Sequence, residues 1–100
     1  MKQTTQRLER RAEILKAVAE PCRLKILLHL QGGERCVTEI MRGSDLSQPN
    51  ASRHLGTLHA TGLINRRRAG NKTYYSIARP EVLEILQQVD SILNRRIRES

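Results

Sequence analysis

Two short runs in this chain carry side chains that could recognise a partner. The first is Ser47-Gln48-Pro49-Asn50-Ala51-Ser52-Arg53-His54, with Thr57 one turn further on. The amides of Gln48 and Asn50 each pair a donor with an acceptor, the pattern that matches the edge of adenine. The Arg53 guanidinium matches guanine or a phosphate. The Ser47 and Ser52 hydroxyls suit phosphate oxygens. The second run is Arg66-Arg67-Arg68-Ala69-Gly70-Asn71-Lys72-Thr73-Tyr74, a hairpin with a basic tip. Between Leu46 and Pro80 there is no Asp or Glu. A helix with a polar leading turn beside a basic hairpin suits double-stranded DNA: the helix enters the major groove and the hairpin grips flanking phosphates. The candidate DNA-binding set is therefore Ser47, Gln48, Pro49, Asn50, Ser52, Arg53, His54 and Thr57 on the helix. Arg66, Arg67, Arg68, Asn71, Lys72 and Tyr74 complete it on the hairpin. Side chains alternate across a strand, so the three arginines cannot all face the same way.

A second chemistry belongs to the thiols, Cys22 and Cys36. Cys22 falls in the first turn of a helix beside Arg23, and Cys36 in a short extended piece. Either can sense a metal, a metalloid or an oxidant, or only fill a packing position, and both readings stay open. A direct bridge is not expected. The helix between them would separate them by roughly 15 Å, whereas a disulfide needs its Cα atoms within about 7 Å. His29, His54 and His59 are not spaced to share one metal. His54 reads as positional within its helix and His29 as packed at a helix end.

The elements that position these groups follow from periodicity and punctuation. Residues 4–19 are helical, with Leu8, Ala12, Leu15, Val18 and Ala19 on one stripe. Pro21 opens a second helix, ended by Gly32-Gly33, in which Leu24, Ile26, Leu27, Leu28 and Leu30 leave few polar sides. Cys36-Val37 is extended, Thr38 caps a third helix through Arg42, and Gly43-Ser-Asp-Leu46 is a turn. Ser47 caps a fourth helix, anchored by Leu55 and Leu58 and closed by Gly62. Its leading residues Ser47, Gln48, Asn50 and Ala51 would meet base edges. Leu63–Arg68 and Lys72–Ile77 pair around Ala69-Gly70-Asn71, with Tyr75 and Ile77 turned inward and Tyr74 outward. From Pro80 to Arg98 a last helix carries Val82, Leu83, Ile85, Leu86, Val89, Ile92, Leu93 and Ile97.

The whole reads as one domain, residues 1–100, mainly α with a small β-hairpin: a winged helix-turn-helix of order α-α-α-α-β-β-α. With neither Trp nor Phe the core is aliphatic. It is too small to cover so apolar a last helix, so a homodimer through the first and last helices is expected. The net charge of +8 favours nucleic acid or an anionic membrane surface as partner. No apolar run approaches the ~18 residues of a membrane span, and Met1–Arg7 lacks the apolar segment of a secretory signal. A cytoplasmic protein with no membrane partner is expected. No nucleophile with its base, phosphate-cradling loop or paired-carboxylate cleft can be assembled, which excludes an enzyme. The alternative is a winged-helix protein-interaction or non-specific nucleic-acid-binding module, but neither calls for the Gln48 and Asn50 amides at a helix head.

From about Leu15 to Leu93 the chain resembles the ArsR/SmtB family of winged helix-turn-helix repressors. The carrying motifs are Glu20-Pro-Cys-Arg-Leu-Lys-Ile-Leu27, Leu46-Ser-Gln-Pro-Asn-Ala-Ser-Arg-His-Leu55, Leu58-His-Ala-Thr-Gly-Leu-Ile64 and Gly70-Asn-Lys-Thr-Tyr-Tyr-Ser-Ile77. The resemblance implies a homodimer that reads an inverted-repeat operator with the helix starting at Ser47 and lets go on a stress signal, although some members have no inducer. One site of the family binds zinc or nickel through Asp and His on the last helix; here no His follows His59, and Glu81, Glu84 and Asp90 are poor zinc ligands. Another uses a Cys-x-Cys pair at the third helix for soft ions. Here the run is Glu34-Arg-Cys-Val-Thr-Glu39, so Cys36 matches the first thiol and Thr38 replaces the second. A third pairs a cysteine of the second helix with one on the last helix, which has none. A thiol-bound metal or metalloid is the one cofactor expectation left.

Overall fold

A computed structural model describes residues 2–99 as five helices and three strands. They are α1 (Lys2–Ala19), α2 (Pro21–Leu30), β1 (Arg35–Cys36), α3 (Val37–Ser44), α4 (Gln48–Ala60), β2 (Ile64–Ala69), β3 (Lys72–Ile77) and α5 (Glu81–Glu99). The expected order is present, with one addition. The hairpin gains a third strand: β1 pairs antiparallel with β3, Arg35 opposite Tyr75 and Cys36 opposite Tyr74, giving the order β1-β3-β2. Two residues carry no readable period, so this strand is created by its distant partner rather than by local pattern.

The helices start and stop for identifiable reasons. Glu20, extended at φ −79° and ψ 130°, caps α2 by accepting the Arg23 backbone N–H at 2.9 Å, and Pro21 occupies the first turn, where a missing N–H costs nothing. Ser47 caps α4, its Oγ accepting the Asn50 N–H at 3.4 Å. That helix closes through Gly62 at φ +79°, whose N–H reaches the His59 carbonyl at 3.0 Å, while the Leu63 N–H reaches Leu58 at 3.1 Å. A left-handed residue is needed there, and glycine adopts it without a Cβ penalty.

Two local expectations are corrected at α3. The cap is Cys36, not Thr38: Cys36 is the last extended residue, and Glu39 three positions on accepts its backbone N–H at 3.0 Å. The Glu39 carboxylate satisfies that N–H, and Val37 and Thr38 are already helical. The helix also runs on through Gly43 and Ser44, and it stops at Asp45, which takes the left-handed conformation (φ 54°). Gly43 lies against the His29 imidazole, and a Cβ there would land in the ring. A glycine that looked like a turn signal is instead a point of close helix approach.

The core is aliphatic and central. Ile26, Leu27 and Leu30 of α2 meet Ile40 of α3, Ala51, Leu55 and Leu58 of α4, Leu63 and Ile64 at the entry to β2, and Tyr75 of β3. Leu28, one of the apolar residues of α2, is exposed. Only the near ends of the terminal helices join this core, through Ala17 and Val18 of α1 and Val82 and Leu86 of α5. Leu8 and Leu15, both on the expected stripe, lie outside it, as do Ile14, Val89, Ile92 and Leu93. The radius of gyration is 15.1 Å, against about 13 Å for a compact chain of this length. The excess comes from two long helices that leave the core with their apolar faces uncovered.

Candidate nucleic-acid interface

α4 presents one exposed face that begins at its first turn. Gln48, Pro49, Asn50, Ser52, Arg53 and Gly56 are exposed, whereas Ala51, Leu55 and Leu58 point into the core. The helical period produces this division, so Ala51, expected at the leading edge, is core and cannot touch a base. Arg53 donates from Nη2 to Asn50 Oδ1 at 3.3 Å, which holds the guanidinium over the first turn beside the amide. Thr57 is half-buried and its hydroxyl donates to the Arg53 carbonyl at 3.2 Å. It stiffens the helix at the edge of the face rather than at its centre.

His54 is the main correction. Its side chain is buried, 4% exposed, and turned away from the exposed face of α4. Its Nδ1 lies 3.3 Å from Arg23 Nη1 and 3.6 Å from Glu20 Oε2. Arg23 also donates from Nε to the Ala17 carbonyl at 2.6 Å and from Nη2 to the Lys16 carbonyl at 3.2 Å. One arginine thus ties the end of α1 and the head of α2 to the middle of α4. Burial pulls the Glu20 carboxyl up, but the Arg23 backbone N–H and the charges of His54 and Arg23 outweigh it and leave it below its ordinary value. His54 therefore sets the pose of the helix and does not touch a ligand on its outer face.

The wing divides its arginines by register. Arg66 lies opposite Tyr75 and Arg68 opposite Thr73, while Arg67 lies opposite Tyr74. Tyr75 is buried and Ile77 packs on the core, as expected, so Arg66, Arg68 and Thr73 share their face. A cleft of about 480 Å³ separates that face from α4. Gln48 and Ser52 line one wall and Asn71, Lys72, Thr73 and Tyr75 the other, with Cys36, Val37, Thr38 and Met41 of the α3 head between. A second hollow is bounded by Arg66, Arg68, Thr73 and Tyr75. Arg67 is on the opposite face. It makes a two-pronged contact with Glu34, at 2.7 Å and 3.1 Å, and its guanidinium lies 4.9 Å over the Tyr74 ring. The Arg67 hydrogen bonds hold the Glu34 carboxyl below its ordinary value. Arg67 engages both Tyr74 and Glu34, on the face of the wing opposite Arg66 and Arg68.

Gly70 makes the tip possible. It sits at φ +63° as the first of two residues between the strands, the sign pattern of a type II′ turn, whose twist suits paired strands. Thr38 and Thr73 line the cleft but are outside the DNA-binding set expected from sequence. Thr73 was findable, because it is two residues from Tyr75 and so shares its face. Thr38 was not, because its approach to the wing depends on the β1–β3 pairing.

Cys22 and Cys36 are free thiols, half-buried and buried respectively. Among the described residues, the group able to offer three metal-ligating atoms together is Glu20, Cys22 and His54. Cys36 lies apart, at the floor of the cleft. No described helix is long and apolar enough to cross a membrane.

Residues 20–66 match the arsR family of bacterial regulatory proteins. The chain is 37% identical over 86 residues to the HTH-type transcriptional regulator Rv0081 of Mycobacterium tuberculosis, covering 85% of this chain and 75% of that protein. It is 36% identical over 81 residues to an arsenical resistance operon repressor of Staphylococcus xylosus, covering 81% and 77%. Among solved structures it superposes with a TM-score of 0.87 on the homodimeric winged helix-turn-helix DNA-binding domain Mb0332 of Mycobacterium bovis, a possible ArsR-family regulator. That alignment has 30% identity and covers 100% of this chain and 93% of that one.

Proposed function

The chain belongs to the arsR family of bacterial regulatory proteins, and on that footing we propose how it works. It is a dimeric, sequence-specific DNA-binding transcriptional repressor rather than an enzyme. Residues 1–100 act as one winged helix-turn-helix unit in the cytoplasm, with α1 and α5 forming the contact between protomers. α4 enters the major groove head first. Gln48 and Asn50 read base edges through their amides, and Arg53, held beside Asn50, reads a guanine or clamps a phosphate. Ser47 and Ser52 hold the phosphate of the same strand. Arg66 and Arg68, with Asn71 and Lys72 at the tip, take the backbone on the far side of the cleft. A twofold dimer presents two such heads, so the operator is an inverted repeat.

One observation supports this reading above the rest. The polar edge of α4 lines the cleft through Gln48 and Ser52, and Arg66 and Arg68, without an ion pair among the described residues, line the hollow that adjoins it at Thr73 and Tyr75; neither lining holds an Asp or Glu, while Arg67 is paired with Glu34 on the other face. A protein-interaction module would have no use for a reading edge built of amides and a single orientation of cations. The test is a gel shift with the DNA upstream of the protein's own coding region, challenged with scrambled competitor. Binding that resists the competitor is expected and should map to an inverted repeat. Equal competition would replace this reading with a non-specific nucleic-acid-binding module.

The relatives include proteins named for resistance to arsenicals, and one named for mercury. A thiol-bound metal or metalloid as release signal fits that company. Thr38 in place of a second thiol leaves Cys36 alone at α3, which weighs against a soft-ion site there, because such ions prefer several thiolates.

A further inference from the structure

Behind the reading face, Glu20, Cys22 and His54 bring together a carboxylate oxygen, a thiol sulfur and an imidazole nitrogen, all within 4.8 Å of one another. The three come from two elements. Glu20 and Cys22 are the cap and first turn of α2, and His54 projects from the middle of α4. We infer that this cluster binds a borderline-to-soft divalent metal ion, Zn²⁺ or Cd²⁺, and that loading it shifts α4 against α2 and lowers affinity for DNA. The coupling rests on the reading of α4 as the DNA-reading helix; the metal site itself does not.

The donor set fits such an ion. Zinc and its heavier congener accept sulfur, nitrogen and oxygen ligands together, and three protein ligands leave a fourth position for water. Glu20 and Cys22 are half-buried, which gives that position a path to solvent, while His54 closes the site from the protein side. Neither the α2 cap nor the Arg23 contacts use the Cys22 sulfur; they need only Glu20 and His54. The cluster must also contract. A tetrahedral ion with bonds of 2.0–2.3 Å spaces its ligand atoms about 3.3–3.8 Å apart; Glu20 and His54, at 3.6 Å, already fit, and the Cys22 separations, at most 4.8 Å, close by about an ångström or less.

That contraction is the route to DNA. Arg23 Nη1 now lies 3.3 Å from His54 Nδ1. A cation on Nδ1 displaces that contact, although Arg23 keeps the Ala17 and Lys16 carbonyls. His54 is then drawn toward the head of α2, and α4 turns with it, because a buried side chain cannot move independently of its helix.

The test uses the full reduced chain, freed of metal and titrated with Cd²⁺, with the thiolate-to-cadmium charge-transfer band as signal. A saturable band is expected that is lost in Cys22→Ser, retained in Cys36→Ser, and reached only at tenfold or higher Cd²⁺ in His54→Gln. In parallel, Cd²⁺ should lower operator affinity at least fivefold in the parent protein, within the usual range of coupling between sites, and leave Cys22→Ser unchanged. A band that survives Cys22→Ser, or Cd²⁺ bound through Cys22 with no change in operator affinity, overturns the inference. Should His54→Gln fail to fold, the comparison of Cys22→Ser with Cys36→Ser decides alone. Metal-free protein that binds no operator refutes the DNA reading, and with it the coupling; operator binding without a Cys22-dependent band refutes the metal site alone.

Discussion

In the proposed interface, Arg53 is the side chain whose removal tests base reading most directly. Its bond to Asn50 at 3.3 Å orients the guanidinium before any partner arrives, which reduces the entropy lost on binding. Replacing it with Ala should weaken operator binding by about 1–3 kcal/mol if it pairs with a base. A fluorescence-anisotropy titration at fixed salt measures this, and unchanged affinity would remove Arg53 from the site. The wing makes a sharper comparison. Arg66 and Arg68 line the hollow beside the cleft, whereas Arg67 is engaged by Glu34 and Tyr74 on the far side. An exposed ion pair is too weak to hold Arg67 back on its own; strand alternation is what keeps it on the other face. Each of Arg66→Ala and Arg68→Ala should therefore lower the slope of log affinity against log salt by about 0.9. Arg67→Ala should leave the slope unaltered. A slope change for Arg67 equal to the others would show that the wing meets DNA with its opposite face.

At the scale of the element, two helix heads depend on ionised carboxylates. Glu20 caps α2 and Glu39 closes α3 on the Cys36 N–H. The Cys36 backbone N–H, then its thiol, holds the Glu39 carboxyl below the ordinary value of 4.5, and Glu20 is likewise lowered. A carboxyl depressed in the folded state stabilises it above the unfolded value, and that contribution disappears as pH falls through the folded one. The urea midpoint should thus be flat from neutrality to about pH 5 and fall in more acid solution. Glu39→Gln should have a lower midpoint at pH 7 and a smaller acid-induced drop than the parent. An undiminished drop in that variant would show that other carboxyls cause the loss.

For the molecule as a whole, the terminal helices carry the unfinished business of folding. Val89, Ile92 and Leu93 of α5 and Leu8 and Leu15 of α1 are each more than half exposed. An aliphatic core this small cannot cover them, and a second copy of the same surfaces can. Leu93→Glu should convert the protein to a monomer in sedimentation equilibrium and reduce operator affinity, because one head alone contacts one half-site. A variant that remains dimeric would place the interface elsewhere on the chain.

Much of this was legible before any coordinates. The proline opening α2, the serine cap of α4, the hairpin turn, the inward Tyr75 and the overlong apolar stripe of α5 are local signals that packing left in place, whereas the Thr38 cap and the Gly43 turn gave way to Glu39 and to the His29 ring. Three placements needed the tertiary structure. His54 shares the inward face of α4 with Ala51, Leu55 and Leu58, but its partners Arg23 and Glu20 come from another element and appear only in the fold. The division of labour among Arg66, Arg67 and Arg68 follows from register and from Glu34, which lies far away in sequence. The meeting of Glu20, Cys22 and His54 is a product of α2 crossing α4. Order along a chain dictates periodicity and punctuation, because those depend on neighbours three or four residues away. Which side chains meet across elements is decided by how the elements pack, and no local pattern records that.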